Sequence, residues 1–191
     1  MPVAIRKFYS EEEFLALERI SKVKNEYYRG EIFAMSGASY QHNQITSNLI
    51  RDIGQHLKDN KCKIFGSDLR VHIQLKSFYT YPDAVIICGE PSFLDNEFDT
   101  IMNPAVLFEV LSPSTAEYDK TIKFDFYKNI QSLKQYVLID SQKITIHVFT
   151  KQADKTWALE EYNDLAQELL LSAVAYKTLV SEVYSGVNLN L

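Results

Sequence analysis

The chain has 191 residues and a formal net charge of −5; 46% of its residues are hydrophobic and 24% are charged. This length favours a single domain over residues 1–191, and the composition excludes collagen-like, low-complexity and wholly disordered chains. The acidic balance gives no overall attraction to nucleic acid or to an anionic membrane, so contact with either would need a local basic surface.

The cysteines and the hydropathy of the sequence predict the cellular compartment of the protein. Cys62 and Cys88 form no CxxC pair, and no histidines follow at zinc-ligand spacing. Both lie in apolar, strand-like stretches, so we expect buried, reduced thiols and no disulfide. There is no apolar segment of signal-peptide length near the N-terminus, and the longest apolar runs are too short to cross a bilayer. We therefore predict a cytoplasmic protein without membrane association.

The first third of the chain predicts a helix, a hairpin and a longer helix. Ser10 and Glu13 have the spacing of a capping box at the start of a short helix. Val23–Tyr28 and Glu31–Met35 flank a glycine, as the strands of a β-hairpin do. In Ser39–Lys58 apolar residues recur every four positions, which predicts an amphipathic helix.

The remainder alternates short strand-like segments with helical ones. Thr115–Ile130 is predicted to be helical because four residues form an apolar stripe: Tyr118, Ile122, Phe126 and Ile130. A last short helix is predicted over Thr178–Tyr184. The predicted strands are Cys62–Phe65, Leu69–Leu75, Ala84–Cys88, Ala105–Leu111, Tyr136–Asp140, Ile144–Phe149 and Trp157–Tyr162. This order predicts an α/β fold of mixed α+β type, in which a central mixed β-sheet is flanked by helices and preceded by an N-terminal helix and β-hairpin.

A carboxylate interrupts the most apolar of these strands. Glu109 lies within Ala105–Leu111, a segment apolar enough to be buried on both faces. An ionised carboxylate in such a place is costly unless a cation or hydrogen-bond donors meet it. A structural salt bridge, or a position at a solvent-facing strand end, would explain a single buried glutamate equally well.

A second carboxylate precedes the neighbouring apolar strand. Asp83 follows Pro82 and leads into Ala84–Cys88. If this strand pairs antiparallel with the strand that carries Glu109, the two carboxylates are neighbours. Adjacent carboxylates repel each other, and a hard divalent cation such as Mg²⁺ relieves that repulsion. For Asp83 alone, a hydrogen-bonded structural role at a strand start is the alternative.

The helix after Glu109 is locally basic. Between Tyr118 and Tyr136 there are two aspartates and four lysines: Lys120, Lys123, Lys128 and Lys134. Lys123 neighbours the apolar stripe, so its ammonium could reach the carboxylate pair. The alternative is an i, i+4 pair of Lys123 with Asp119 on an exposed face, which would contribute only ~0.3–0.5 kcal/mol.

Together these residues resemble a known family. Pro82-Asp83, the EVLSPST segment Glu109–Thr115, and Asp119 with Lys123 are similar to the Uma-type restriction endonuclease family of the PD-(D/E)XK nuclease superfamily. The resemblance covers most of the chain and includes three further segments: Glu26–Glu31, His42 and Tyr136–Asp140.

The resemblance implies a restriction-endonuclease-like core and an endonuclease that hydrolyses DNA phosphodiester bonds with Mg²⁺, for which Mn²⁺ could substitute. It implies that Asp83, Glu109 and the carbonyl of Val110 ligate the metal. Leu111 stands where the superfamily has a lysine. The family resembled here places that lysine on the following helix, where Lys123 is the candidate.

Four further residues are candidates for a role in catalysis or in nucleic-acid binding. Glu26 completes the acidic cluster as a catalytic residue, or is a solvated hairpin residue. His42 is a buried, hydrogen-bonded histidine, or it contacts DNA or acts as a general base. Lys120 and Lys128 join His42 as candidate nucleic-acid contacts.

Two functional hypotheses follow. The first is a DNA endonuclease in which Asp83, Glu109, Lys123 and Glu26 are catalytic, acting as a homodimer because one small subunit would have to cut both strands. The second is a catalytically inactive nuclease-fold module that binds nucleic acid or a protein partner, as the negative charge and Leu111 suggest. A plain interaction domain that dimerises through its aromatic-rich strands is a third, weaker alternative.

Overall fold

A computed structural model describes residues 7–189, and within them a six-stranded sheet and a five-stranded sheet pack face to face. The helices are α1 (Glu11–Glu18), α2 (Tyr40–His56), α3 (Ala116–Tyr118), α4 (Phe124–Tyr127) and α5 (Val180–Val183). A π-helical turn, Asp119–Lys123, joins α3 to α4. The strands are β1 (Asn25–Tyr28), β2 (Glu31–Ala34), β3 (Cys62–Gly66), β4 (Arg70–Ile73), β5 (Phe78–Thr80), β6 (Ala84–Cys88), β7 (Thr100–Ile101), β8 (Val106–Leu111), β9 (Gln135–Asp140), β10 (Ile146–Lys151), β11 (Trp157–Tyr162), β12 (Glu168–Leu171) and β13 (Tyr176–Leu179).

The six-stranded sheet is mixed. Its strand order is β11-β10-β9-β8-β6-β3, with β8 and β9 parallel and the other neighbours antiparallel. The five-stranded sheet has the order β2-β1-β5-β4-β7, in which only the pair β4 and β7 is parallel. The predicted mixed α/β architecture is therefore confirmed, with the N-terminal hairpin extended into a second sheet that the sequence did not predict.

The two faces of β8 lie in different environments. Because side chains alternate along a strand, Val106, Phe108 and Val110 pack with α2 and α5 on one face. Leu107 and Leu111 pack on the other face, between the two sheets. Glu109 has the same parity as these two leucines, so its side chain points between the sheets.

The predicted N-terminal elements are confirmed. Ser10 and Glu13 form both hydrogen bonds of the capping box at the start of α1. The β1–β2 turn has positive φ at both central residues, 46° at Arg29 and 97° at Gly30. Two consecutive residues with positive φ match the twist of a two-residue hairpin, which is why a glycine stands there.

The predicted apolar stripe on Thr115–Ile130 is wrong in one respect. Ile122 is 51% exposed, whereas Asp119 and Lys123 are buried. The buried residues Asp119, Lys123 and Tyr127 recur every four positions, so the segment buries the helical face beside the predicted stripe. The buried face of the segment therefore carries charged residues.

The expectation of two reduced thiols is also wrong. Cys62 on β3 lies opposite Cys88 on β6, their Cα atoms are 3.9 Å apart, and a disulfide joins them. The two cysteines are 26 positions apart in sequence, so only the strand register brings them together. In the part of the chain that the structure describes, no helix is both long and apolar enough to span a membrane.

Candidate active site

The candidate site lies where the chain passes from one sheet to the other. Tyr81–Asp83 connects β5 of the five-stranded sheet to β6 of the six-stranded sheet. Strands β6 and β8 are antiparallel, with Ala84 opposite Phe108, which is the pairing on which the predicted proximity of the two carboxylates depends. Asp83 at the start of β6 is therefore next to Glu109 near the end of β8.

Asp83 is held by the backbone of β8 and by α2. Its Oδ2 accepts a hydrogen bond from the N–H of Val110 at 2.7 Å and lies 3.0 Å from Nε2 of His42. In the continued β6–β8 register Pro82 is opposite Val110, and proline has no N–H to donate to the Val110 carbonyl. Because the N–H and C=O of one strand residue point to the same side, that carbonyl faces the edge where Asp83 lies.

Glu109 is buried and doubly contacted. Its side chain is 5% exposed, and its Oε1 lies 2.9 Å from Nζ of Lys123. The hydroxyl of Tyr127 donates a hydrogen bond to the same oxygen at 2.7 Å. Burial raises the pKa of Glu109 well above its usual value, against the opposing effect of the Lys123 ammonium.

Lys123 lies among three carboxylates. Its Nζ is 3.2 Å from Oε1 of Glu26 and 3.5 Å from Oδ1 of Asp119, in addition to the contact with Glu109. Burial alone disfavours the ammonium, but the surrounding carboxylates outweigh burial and raise the pKa of Lys123 well above its usual value. The lysine is therefore a buried cation, and its pair with Asp119 is not on an exposed face.

Glu26 reaches the cluster from the other sheet. In the continued β1–β5 register it lies opposite Thr80, whose hydroxyl donates a hydrogen bond to Oε1 of Glu26. The hydroxyl of Tyr118 approaches Oε2 at 3.5 Å. The side chain of Glu26 is 12% exposed, so it is a member of the cluster and not a solvated hairpin residue.

The cluster carries more negative than positive charge. Among residues 7–189, Glu26, Asp83, Glu109 and Asp119 are near a single lysine, and burial raises the pKa of Asp119. Carboxylate oxygens and a strand-end carbonyl are the ligand types that Mg²⁺ takes, so the donor chemistry fits a divalent cation. Within residues 7–189, however, no three His, Cys, Asp or Glu side chains are arranged to hold a metal. The ammonium of Lys123 lies among the carboxylates instead.

The remaining predicted residues differ in position. His42 faces Asp83, and its buried Nδ1 has no hydrogen-bond partner among the residues that the structure describes. Lys120 is half-buried. Lys128 is exposed, pairs with Asp125 at 2.8 Å and lies over the ring of Phe124. The structure therefore brings His42 to the carboxylates and leaves Lys128 outside them.

Two contacts of the site were missed at the sequence level. Tyr127 binds Glu109, and Thr80 binds Glu26. Tyr127 lies four residues after Lys123, which places both on one helical face. That spacing was a usable signal, but an inward tyrosine is more often a core residue. Thr80 could be found only from the β1–β5 register.

The fold is shared with a solved protein. A crystal structure described as "a putative nuclease belonging to DUF820 from Anabaena variabilis ATCC 29413" matches with a TM-score of 0.73 over 91% of this chain and 96% of that chain. The two sequences are 20% identical, so this likeness shows the fold, which is restriction-endonuclease-like.

Sequence comparison defines the family. The model of the Uma2 family, described as "Putative restriction endonuclease", matches residues 11–180. Two relatives come from Synechocystis sp. (strain ATCC 27184 / PCC 6803 / Kazusa). "Uncharacterized protein sll1609" is 39% identical over 84% of this chain and 91% of its own length. "Uncharacterized protein slr1290" is 33% identical over 93% of this chain and 92% of its own length. The chain belongs to the Uma2 family, as its motifs predict.

Proposed function

We propose that the chain is a Mg²⁺-dependent endonuclease that hydrolyses DNA phosphodiester bonds, with Mn²⁺ as a substitute. The observation that carries the proposal is the buried ammonium of Lys123, held by Glu109 and Glu26 beside Asp83. The Uma2 family and the nuclease-like fold support a nuclease in general. The charge excess of the cluster supports a divalent cation in particular.

Each site residue has a distinct role in this proposal. Asp83, Glu109 and the carbonyl of Val110 would hold the cation, which when bound acidifies water and neutralises charge on the phosphate. Tyr127 and Lys123 engage Oε1 of Glu109, so its other oxygen, which accepts no hydrogen bond from the described residues, is the one available to a cation.

The ammonium of Lys123 stabilises negative charge on a phosphate oxygen or orients the attacking water. Glu26 fixes that ammonium from the second sheet, with Thr80 fixing Glu26. His42 holds Oδ2 of Asp83. These three side chains position the groups that contact the substrate.

The proposal also includes DNA contacts outside the cluster, the domain organisation, the oligomeric state and the cellular location. We place Lys120 and Lys128 as contacts to the DNA backbone, and we treat residues 1–191 as one domain. A homodimer would supply the second cluster needed to cut both strands. Light scattering coupled to gel filtration tests the dimer. A cytoplasmic site of action is proposed as well, and cell fractionation followed by immunoblotting tests it.

A nicking assay tests the reaction. Purified protein is incubated with supercoiled plasmid and Mg²⁺ or Mn²⁺, and conversion to the open circle is followed on a gel. We expect nicking that EDTA abolishes and that Asp83→Asn reduces by at least about 100-fold, the scale of losing a group that stabilises the transition state. The matched control is Asp68→Asn, which removes an exposed carboxylate outside the cluster.

The controls decide the outcome. Asp68→Asn should keep wild-type nicking, and the melting temperature of Asp83→Asn shows whether that variant is folded. The absence of nicking by the folded wild-type protein with either metal would reject the proposal. Equal nicking by wild type and Asp83→Asn would reject it as well, because the activity would then come from a contaminant.

The second candidate function is a catalytically inactive module that binds nucleic acid or a protein. Leu111 in place of the superfamily lysine favours it, as does the absence of a preformed metal-binding group among residues 7–189. Gel shifts distinguish the two functions. The module would retain DNA without cutting it, and Mg²⁺ would change the retention little.

A further inference from the structure

A second surface has the opposite charge character from the carboxylate cluster. A groove of about 540 Å³ lies between the end of α4 and the β10–β11 hairpin. Its lining residues are Lys128, Asn129, Gln131, Lys151, Lys155 and Trp157. None of these six carries a carboxylate, although the chain as a whole has 25 acidic residues and 20 lysines and arginines. The groove, here named the Trp157 groove, is therefore a local basic surface.

The lysines of the groove are only partly neutralised. Lys128 forms an exposed pair with Asp125 at 2.8 Å. The ammonium of Lys151 donates to the carbonyl of Gln131 at 3.3 Å. Within residues 7–189, neither Lys151 nor Lys155 forms an ion pair. Two of the three ammonium groups therefore remain available to an anion.

The residues that flank the groove preserve this positive character. Asp154 is the acidic neighbour of Lys155, and its Oδ1 accepts hydrogen bonds from the N–H and the hydroxyl of Thr156 at 2.9 and 2.6 Å. It is thus engaged within its own turn. The exposed Lys134 lies beside Lys151, whose N–H donates to the Lys134 carbonyl at 2.8 Å. Lys134 therefore adds a further positive charge at the same end of the strands.

An aromatic ring lies among these ammonium groups. Trp157 is half-buried at the start of β11, opposite Lys151 in the strand register. The ring of Phe124 contacts the indole edge to face with centroids 5.4 Å apart, and the ammonium of Lys128 lies 4.3 Å from the centre of that same ring. Phe124 therefore positions both the indole and the ammonium.

We propose that the Trp157 groove binds single-stranded nucleic acid, with phosphates on Lys128, Lys151 and Lys155 and an unpaired base stacked on Trp157. Basic grooves with an aromatic platform bind single strands in this way, because every base has a π-face and only an unpaired base exposes it. The groove is separate from the carboxylate cluster. Lys128 follows Lys123 by five residues, which corresponds to about 140° around a helix axis and about 7.5 Å along it.

The test uses the fluorescence of Trp157, the only tryptophan of the chain. Full-length protein is titrated with oligothymidylate in EDTA, so that no cleavage takes place. We expect saturable quenching as the base stacks on the indole. Three phosphate contacts to a single strand predict that affinity falls about 20-fold between about 50 and 200 mM salt. Asp83→Asn should bind like wild type, so the result is independent of the proposed nuclease activity.

Two variants and a control give the expected pattern. The double substitution Lys151→Gln/Lys155→Gln should reduce the slope of log affinity against log salt from about −2 to about −0.7. Trp157→Ala, followed by the anisotropy of a labelled oligonucleotide, should weaken binding roughly 5- to 150-fold, which corresponds to the loss of one stacked base. The control Lys177→Gln removes a lysine of β13 that pairs with Glu168 on β12, and it should leave binding unchanged.

Four results would overturn the proposal. They are no quenching by oligothymidylate, an unchanged salt slope in the Lys151→Gln/Lys155→Gln protein, equal quenching by duplex DNA, and equal quenching by polyglutamate. The third result would show that no unpaired base is needed, and the fourth would assign the groove to acidic polypeptides. Thermal melting of each variant confirms that a loss of binding is not a loss of fold.

Discussion

The charge arrangement at Lys123 predicts a large effect of a single substitution. Lys123→Met keeps most of the side-chain volume but removes the only ammonium among residues 7–189 that contacts Glu26, Glu109 and Asp119. The three carboxylates then remain near one another without a cation. We expect this variant to be strongly destabilised at neutral pH in EDTA.

The magnitude follows from the distances and the burial. At an effective dielectric constant of about 20, each contact of 2.9 to 3.5 Å contributes about 5 kcal/mol of attraction. Most of this attraction offsets the desolvation of the charges, and breaking a buried pair typically costs about 3–5 kcal/mol. For a chain of this size that loss lowers the melting temperature by roughly 6–20 °C.

The matched control lies on the same helical segment. Lys128→Met removes an exposed lysine whose partner Asp125 is also exposed, and such a pair contributes at most about 1 kcal/mol. Both variants are melted by circular dichroism at the same protein concentration and pH. If Lys123→Met melts within a few degrees of Lys128→Met, the ammonium does not balance the carboxylates, and the electrostatic basis of the proposed site is wrong. Adding Glu109→Gln to Lys123→Met should recover part of the loss, because it removes one unpaired charge.

Three further predictions address single contacts. Tyr127→Phe removes the hydroxyl that donates to Glu109, so the free energy of unfolding should fall by about 1–3 kcal/mol, which urea denaturation measures. Nicking by this variant should also require more Mg²⁺, which a metal titration measures. The pKa of His72 is lowered by burial, so the unfolded chain binds a proton more readily, and stability should be lost as pH falls below about 6.5. In His72→Phe, melted from about pH 7.5 to about pH 5, that part of the loss should be absent, and an identical pH profile would contradict the assignment. Reduction of the disulfide between Cys62 and Cys88, or replacement of both cysteines by alanine, should lower the free energy of unfolding by ~3 kcal/mol for a loop of this length. Thiol titration of the unfolded protein with and without reductant checks that the bond exists.

The parts of the fold that were predicted have strong local signals. The capping box of Ser10 and the four-residue period of Ser39–Lys58 depend on residues close in sequence, and both correspond to observed helices. The three-residue β5 and the two-residue β7 are too short to show any alternation. A strand remote in sequence completes the hydrogen bonds of each, β1 for β5 and β4 for β7, and no local pattern records those partners.

The candidate site also combines residues that local sequence could identify with contacts that it could not. Glu109 and Asp83 could be found because a carboxylate inside or beside an apolar strand is costly without a partner. Lys123 could be named as the candidate partner of Glu109 because it neighbours the apolar stripe of the next helix, with an exposed pair to Asp119 as the alternative. Lys123 is buried on the same helical face as Asp119 and Tyr127, whereas Ile122 on the neighbouring face is exposed. The apolar stripe and the face of Lys123 share the same four-residue period, so the sequence pattern alone could not show which of the two faces is buried.

The position of Lys123 explains how Leu111 can stand where the superfamily has a lysine. Leu111 is two residues after Glu109 on β8, so it shares that face and packs, 3% exposed, in the apolar contact between the two sheets. A lysine at 111 would come from the same strand as Glu109, whereas Lys123 comes from the segment that covers this face. From there the ammonium contacts Glu109 on β8 and Glu26 on β1 at the same time. The ammonium thereby links the two sheets at the point where the chain passes between them, which gives the N-terminal hairpin a direct part in the electrostatics of the proposed reaction centre.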